Sequence, residues 1–154
     1  MLLGASCSND RDGYSVDYPD GWYTVTDLPA WRCALFDPDP IVIQEFSELP
    51  ITAVFIYVDD NPYDEVVAAL TDPNYFKVGD LAGDTFTDAD LPGVAMRVRQ
   101  TEDLFYSRGT RFFYVVIDRV DKTIVVQTIS YATGSFAENA EIALEMAHRI
   151  RITG

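Results

Sequence analysis

Histidine occurs once in this chain, as His148, and cysteine only twice, as Cys7 and Cys33. Two thiols and one imidazole cannot supply the ligands of a common structural zinc site. His148 lies four residues beyond Leu144 and next to Arg149, and a structural or surface histidine is expected there rather than a catalytic base. Nothing in the sequence ties it to Cys33 as a nucleophilic pair. The Gly-x-Ser-x-Gly elbow of serine hydrolases is missing, and Gly134-Ser135 is better explained as the start of a helix. Neither Gly-x-Gly-x-x-Gly nor Gly-x-x-x-x-Gly-Lys occurs, so no loop is built to cradle a phosphate. No apolar run approaches the ~20 residues that span a bilayer as a helix. With these groups absent, no enzymatic activity and no cofactor are expected.

Basic residues are scarce as well. Eleven Lys and Arg face 25 Asp and Glu, a formal net charge of −14. Residues 1–96 hold 18 acids and 3 bases, whereas residues 97–154 hold 7 acids and 8 bases. Such a field repels phosphate backbones, which argues against nucleic-acid partners. Solubility or a salty milieu accounts for acidity of this kind, and a cation site or a basic partner is the alternative.

What is present is the composition of a globular domain. Hydrophobic residues make up 48% of the 154, and nine Phe, nine Tyr and two Trp favour a sheet-rich core. The length suits one domain. Tyr14–Tyr18 alternates apolar and polar residues and stops at Pro19-Asp20-Gly21, a short strand and turn. Residues 22–25, 31–36 and 41–46 are further extended candidates, and Ile51–Val58 is a run of β-formers. Asn61-Pro62 then marks a helix start, Asn61 as cap, with Asp64 and Glu65 in an acidic first turn. That helix runs through Tyr63–Leu70, and a short strand is expected near Asp84–Thr87. Val94–Thr101, Arg111–Arg119 and Lys122–Tyr131 read as three strands of an antiparallel meander, joined by turns at Ser107–Gly109 and Val120–Lys122. Ser135-Phe136-Ala137-Glu138 is a capping box. It opens a helix whose Phe136, Ala140, Ala143, Leu144, Ala147 and Ile150 form one apolar stripe.

Four groups of residues are candidates for function. Residues 1–12 read as a leader or tether, with the domain proper in 13–154. Within that leader Met1–Asp10 resembles the tail of a lipoprotein signal, apolar and small residues, then Cys7, then a polar spacer, although Gly4 stands where a lipobox has Leu. Cys7 is the acylation point on that reading, which would anchor the domain at a membrane. Cys33 is either a buried, inert thiol, the expected state, or the partner of Cys7 in an oxidising compartment. Asp59, Asp60, Asp64 and Glu65 gather oxygen ligands around a strand-to-helix corner, a weak site for a hard cation without the spacing of an EF-hand loop. Asp37-Pro38-Asp39 is a weaker one. Tyr18, Trp22, Tyr23 and Trp31 crowd one short segment and would form a partner or ligand patch if exposed together; otherwise they are core.

The opening Tyr14–Trp22 with its aromatic, strand, Pro-x-x-Trp order, the strand Ile51–Val58 leading into a helix, the central meander and the closing helix together resemble the PsbP-like fold. That fold is shared by a photosystem II protein, a Ran-binding nuclear import factor and many bacterial lipoproteins of unknown role. The resemblance spans most of residues 13–152. It implies an α+β domain, a single antiparallel sheet with helices packed on it as an α/β/α sandwich, and export in bacterial members. It carries no functional residue across, because fold does not set function. The expectation is therefore a non-catalytic, extracytoplasmic binding or assembly domain of a cell-envelope lipoprotein, with a protein partner. The alternative is a small-ligand carrier or sensor with an apolar pocket.

Overall fold

The computed structural model describes residues 2–44, 50–70, 76–77, 86–91, 94–103, 111–119, 122–132 and 134–153. For 76–77, 86–91, 94–103 and Arg111 it describes the backbone alone. In chain order the elements are β1 (Ala5–Asn9), β2 (Tyr14–Tyr18), β3 (Tyr23–Thr24), a 3₁₀ turn at Pro29–Trp31, β4 (Leu35–Asp37), β5 (Val54–Asp59), α1 (Tyr63–Leu70), β6 (Phe76–Lys77), β7 (Phe86–Leu91), β8 (Val94–Asp103), β9 (Arg111–Asp118), β10 (Thr123–Ile129), α2 (Phe136–His148) and β11 (Arg151–Ile152).

The expected meander is present. β8 pairs antiparallel with β9, Val98 opposite Val115, and β9 with β10, Val116 opposite Val125. β10 continues onto β5, Val126 opposite Ile56. The large sheet runs β3-β4-β5-β10-β9-β8-β6, with β7 also paired to β8. The turn expected at Ser107–Gly109 and most of that at Val120–Lys122 lie outside the described residues, as do 45–46 of the extended piece at 41–46. Residues 41–44 carry no regular structure.

A single sheet was expected, and the described residues form two. The second has the order β1-β2-β11. Its cause is local: Gly21 takes φ +81° after Pro19-Asp20, so the chain leaves β2 in a turn and β3 starts in the other sheet. β2 then has both edges free, and the two ends of the chain fill them. β1 pairs along its whole length, Cys7 opposite Val16, and β11 places Arg151 opposite Ser15. The residues read as a tether thus supply a strand, and Arg151-Ile152, just past the closing helix, supplies another.

Strand alternation explains why β9 and β10 look apolar throughout. Phe113, Val115 and Ile117 of β9 with Ile124 and Val126 of β10 face the main core, which also takes Val54, Ile56 and Phe36 of the large sheet and Tyr14 and Val16 of the small one. Phe112, Tyr114, Val116 and Val125 point the other way, against Tyr63 and Val66 of α1. Both faces are covered, so both sets are mainly apolar. The helix α2 closes the main core with Phe136, Ala140, Ile142, Ala143, Met146 and Ala147. Each large side chain buried there, such as Met146, stabilises the fold by about 1.5–3 kcal/mol. Ser135 caps α2 as expected, its Oγ accepting from the Glu138 N–H at 3.3 Å.

Candidate functional site

The two cysteines meet. Cys7 of β1 and Cys33 are joined by a disulfide with their Cα atoms 5.7 Å apart, within ordinary disulfide geometry. This corrects the expectation of a free, inert Cys33 thiol: the site is buried as expected, but the β1 strand delivers a second sulfur to it. It also changes the reading of Cys7. A sulfur in this bond cannot carry a thioether-linked lipid, and Cys7 is buried between β2 and the core rather than held on a free tether.

The corner around the bridge is fully built. Cys33 adopts φ +58°, a left-handed conformation that a non-glycine residue keeps only where its surroundings demand it. Here the demands are visible. The Cys33 N–H donates to the Val25 carbonyl at 3.0 Å, and the Tyr14 hydroxyl donates to the Cys33 carbonyl at 2.7 Å. The Asn9 amide donates to the Arg32 carbonyl at 2.9 Å, and Arg32 Nε donates back to the Ser8 carbonyl at 2.8 Å. Burial, only partly offset by a hydrogen bond with Asn9 and helped slightly by the charge of Asp12, moves the Tyr14 phenol far above the ordinary tyrosine range. Tyr14 is therefore a fixed neutral donor.

The acidic corner does not assemble into a cation site. Asp59 Oδ1 accepts from both the backbone N–H and the side-chain amide of Asn61, each at 2.9 Å. Asn61 Nδ2 is thereby turned back to Asp59, two residues earlier, while the Pro62 carbonyl accepts the Glu65 and Val66 N–H groups. Asp60 is almost fully exposed and pairs loosely with Lys122 at 3.9 Å. Asp64 and Glu65 stand exposed in the first turn of α1, where they complement the helix dipole. Among the described residues no three His, Cys, Asp or Glu side chains gather closely enough to hold a metal ion. The second acidic motif is likewise used internally: Asp37 Oδ1 accepts the Ala53 N–H at 2.8 Å and Oδ2 the Asp39 N–H at 3.0 Å.

The four aromatic residues separate. Tyr18 and Trp22 pack on the main core, Tyr18 with its ring 5.2 Å from that of Phe36. Trp31 packs on a different cluster, that of Val25, Ala34 and Leu35. Tyr23 alone of the four is largely exposed. His148 is exposed at the last turn of α2, and both cysteines are bridged, so no thiol is left to pair with it.

Two cavities were not legible in the sequence. One, of about 250 Å³, is polar and brings Trp31 and Asp60 together with Arg11, Arg32, Tyr57 and Lys122. Arg11 and Arg32 are two of the three bases in residues 1–96. Burial, helped by the charge of Asp59, pushes the Tyr57 phenol up to about 12. The other cavity, of about 310 Å³, is apolar, with Leu35, Phe55, Phe112 and Ile129 in its wall.

Two antiparallel sheets, with α2 over the main core and α1 on the opposite face of the large sheet, define a mixed α/β protein of PsbP-like fold. The chain is similar to cyanobacterial PsbP, CyanoP, from Synechocystis sp. PCC 6803, whose solution structure it matches with a TM-score of 0.54 over 99% of this chain and 94% of that one. Sequence identity is 14%, so the likeness is one of fold. No protein-family model matches the chain, and no curated protein matches it in sequence.

Proposed function

We propose that this is a non-catalytic domain that works outside the cytoplasm and binds a protein partner or supports an assembly. The observation that carries the reading is the buried Cys7–Cys33 bridge. Disulfides of this structural kind persist in oxidising compartments and are rare in cytosolic proteins. A net charge of −14 favours a partner with a basic face and disfavours nucleic acid. The titratable groups offer little to catalysis: His148 is exposed, the cysteines are bonded, and the acids of the α1 corner are spent on turns, a helix dipole and solvent. The fold shared with CyanoP is compatible with this role without deciding it.

The test is to fractionate the source cells after trapping free thiols with an alkylating agent, then weigh the intact protein. The reading expects an extracytoplasmic protein that takes up no alkyl group before reduction and two after it. Crosslinking in the same fraction should capture a partner, and raised salt during capture should reduce the yield. A cytoplasmic protein that is alkylated on both cysteines without reduction would refute the reading.

A further inference from the structure

The face of the large sheet opposite α2 has two separate covers. The helix α1 lies over Tyr114, Val116 and Val125, while Leu35, Val25 and Ala34 pack with Trp31, Ile41, Ile43 and Phe55 in a second cluster. The apolar cavity of about 310 Å³ is lined by residues from both clusters. Its floor can be read from the strand register. Leu35 of β4 stands opposite Phe55 of β5, Phe55 opposite Gln127 of β10, and Gln127 opposite Tyr114 of β9. Ile129 and Phe112 form the next row, also opposite one another. Paired residues share a face, so Gln127 stands between the aromatic residues Phe55 and Tyr114, with Arg99 of β8 one strand further along the same row. At the rim Ile51 is 54% exposed and Tyr131 47%.

Gln127 is the unexplained group. It is half-buried, and its carboxamide makes no hydrogen bond with the described residues, although an amide in such a place offers two donors and an acceptor. A Val or Ile there would continue the strand pattern and satisfy the neighbouring rings. Among the described residues the lining contains no Asp, Glu, Lys, Arg or His, so none of them offers a charged ligand a counter-charge for its lost hydration. The overall charge of −14 weighs further against an anion. The volume stands at the small end of ligand pockets, which run from about 300 to 1,000 Å³ and pair apolar walls with a few placed polar groups.

We propose that this cleft binds an uncharged, largely apolar small molecule that carries one hydrogen-bonding group, such as a carbonyl or hydroxyl, and that this group meets the Gln127 carboxamide. The site is independent of where the protein works and of whether it has a protein partner. The experiment is a fluorescence titration of the full chain with the uncharged naphthyl ketone Prodan, and in parallel with the anionic naphthalene sulfonate ANS. Prodan should bind saturably at one site with blue-shifted emission, and ANS at least tenfold more weakly. Gln127→Leu, which keeps the walls apolar and removes the polar group, should weaken Prodan about fivefold, the worth of one net hydrogen bond. Gln127→Phe, which fills the cleft, should weaken it at least tenfold. Should Gln127→Phe fail to fold by near-UV circular dichroism, Ile51→Glu at the exposed rim decides, with a weakening of at least threefold expected. Absence of saturable Prodan binding, equal binding of ANS, or a Prodan affinity unchanged by the folded cleft variants would each overturn the proposal.

Discussion

Replacing both cysteines by alanine removes a crosslink between residues 26 apart in the chain. Loop-closure entropy for a ring of that size, freed in the unfolded chain, is worth about 3.5 kcal/mol at 25 °C. The two sulfurs are buried, so the void they leave adds to the loss. Against the ~5–15 kcal/mol of an ordinary domain this is a large share. It should lower Tm by roughly 7–14 °C for a chain of this size. Urea unfolding followed by far-UV circular dichroism reads it directly, and the m-value should rise, because the uncrosslinked chain expands further when unfolded. The backbone supplies an internal control. Cys33 sits at φ +58°, where glycine is relaxed and alanine strained. The pair Cys7→Ala/Cys33→Gly should therefore be about 1 kcal/mol more stable than Cys7→Ala/Cys33→Ala. A loss below about 1 kcal/mol for the alanine pair, or an inverted order of the two pairs, would refute the account of this corner as a strained turn held by a crosslink.

Three further outcomes follow from single contacts. Tyr14→Phe deletes the 2.7 Å bond to the Cys33 carbonyl and leaves that acceptor buried and unpaired; unfolding by urea should reveal a cost of about 1–3 kcal/mol. Stability should decline above pH 10, because the Tyr57 phenol titrates near 12 when folded and near 10 when unfolded, so the unfolded chain releases its proton first. Urea midpoints between pH 9 and 11 should fall less steeply in Tyr57→Phe than in the parent. Ser135→Ala removes the acceptor for the Glu138 N–H and should cost about 1 kcal/mol, whereas Ser135→Asp should retain most of the stability, both read from urea midpoints.

Much of the fold is legible in the sequence because its signals are local. Tyr14–Tyr18 and Tyr63–Leu70 form with the boundaries read from alternation and from Asn61-Pro62, and Ser135 caps α2 through a contact three residues long. The meander strands announce themselves by composition, and the neighbours in it are neighbours in sequence. Even there the faces were unreadable: Val125, Val126 and Gln127 look alike as a run when both sides of a strand are covered. Asn61 shows a competing local choice, since Asp59 takes its amide in a two-residue turn.

By itself, then, the sequence determined the helices, the central strands, the acidity and the poverty of catalytic groups, all properties of neighbouring residues or of composition. Only the tertiary structure decided the second sheet, the disulfide and the clefts. Arg151-Ile152 is a strand solely because β2 offers a free edge across the molecule. Cys7 bonds to Cys33 because β1 pairs with β2 beside the turn that holds Cys33, a distance that sequence spacing does not encode. The apolar cleft joins Leu35, Ile51, Phe112 and Gln127 from four separate stretches. Its carboxamide acquires meaning only when the register places that group between Phe55 and Tyr114.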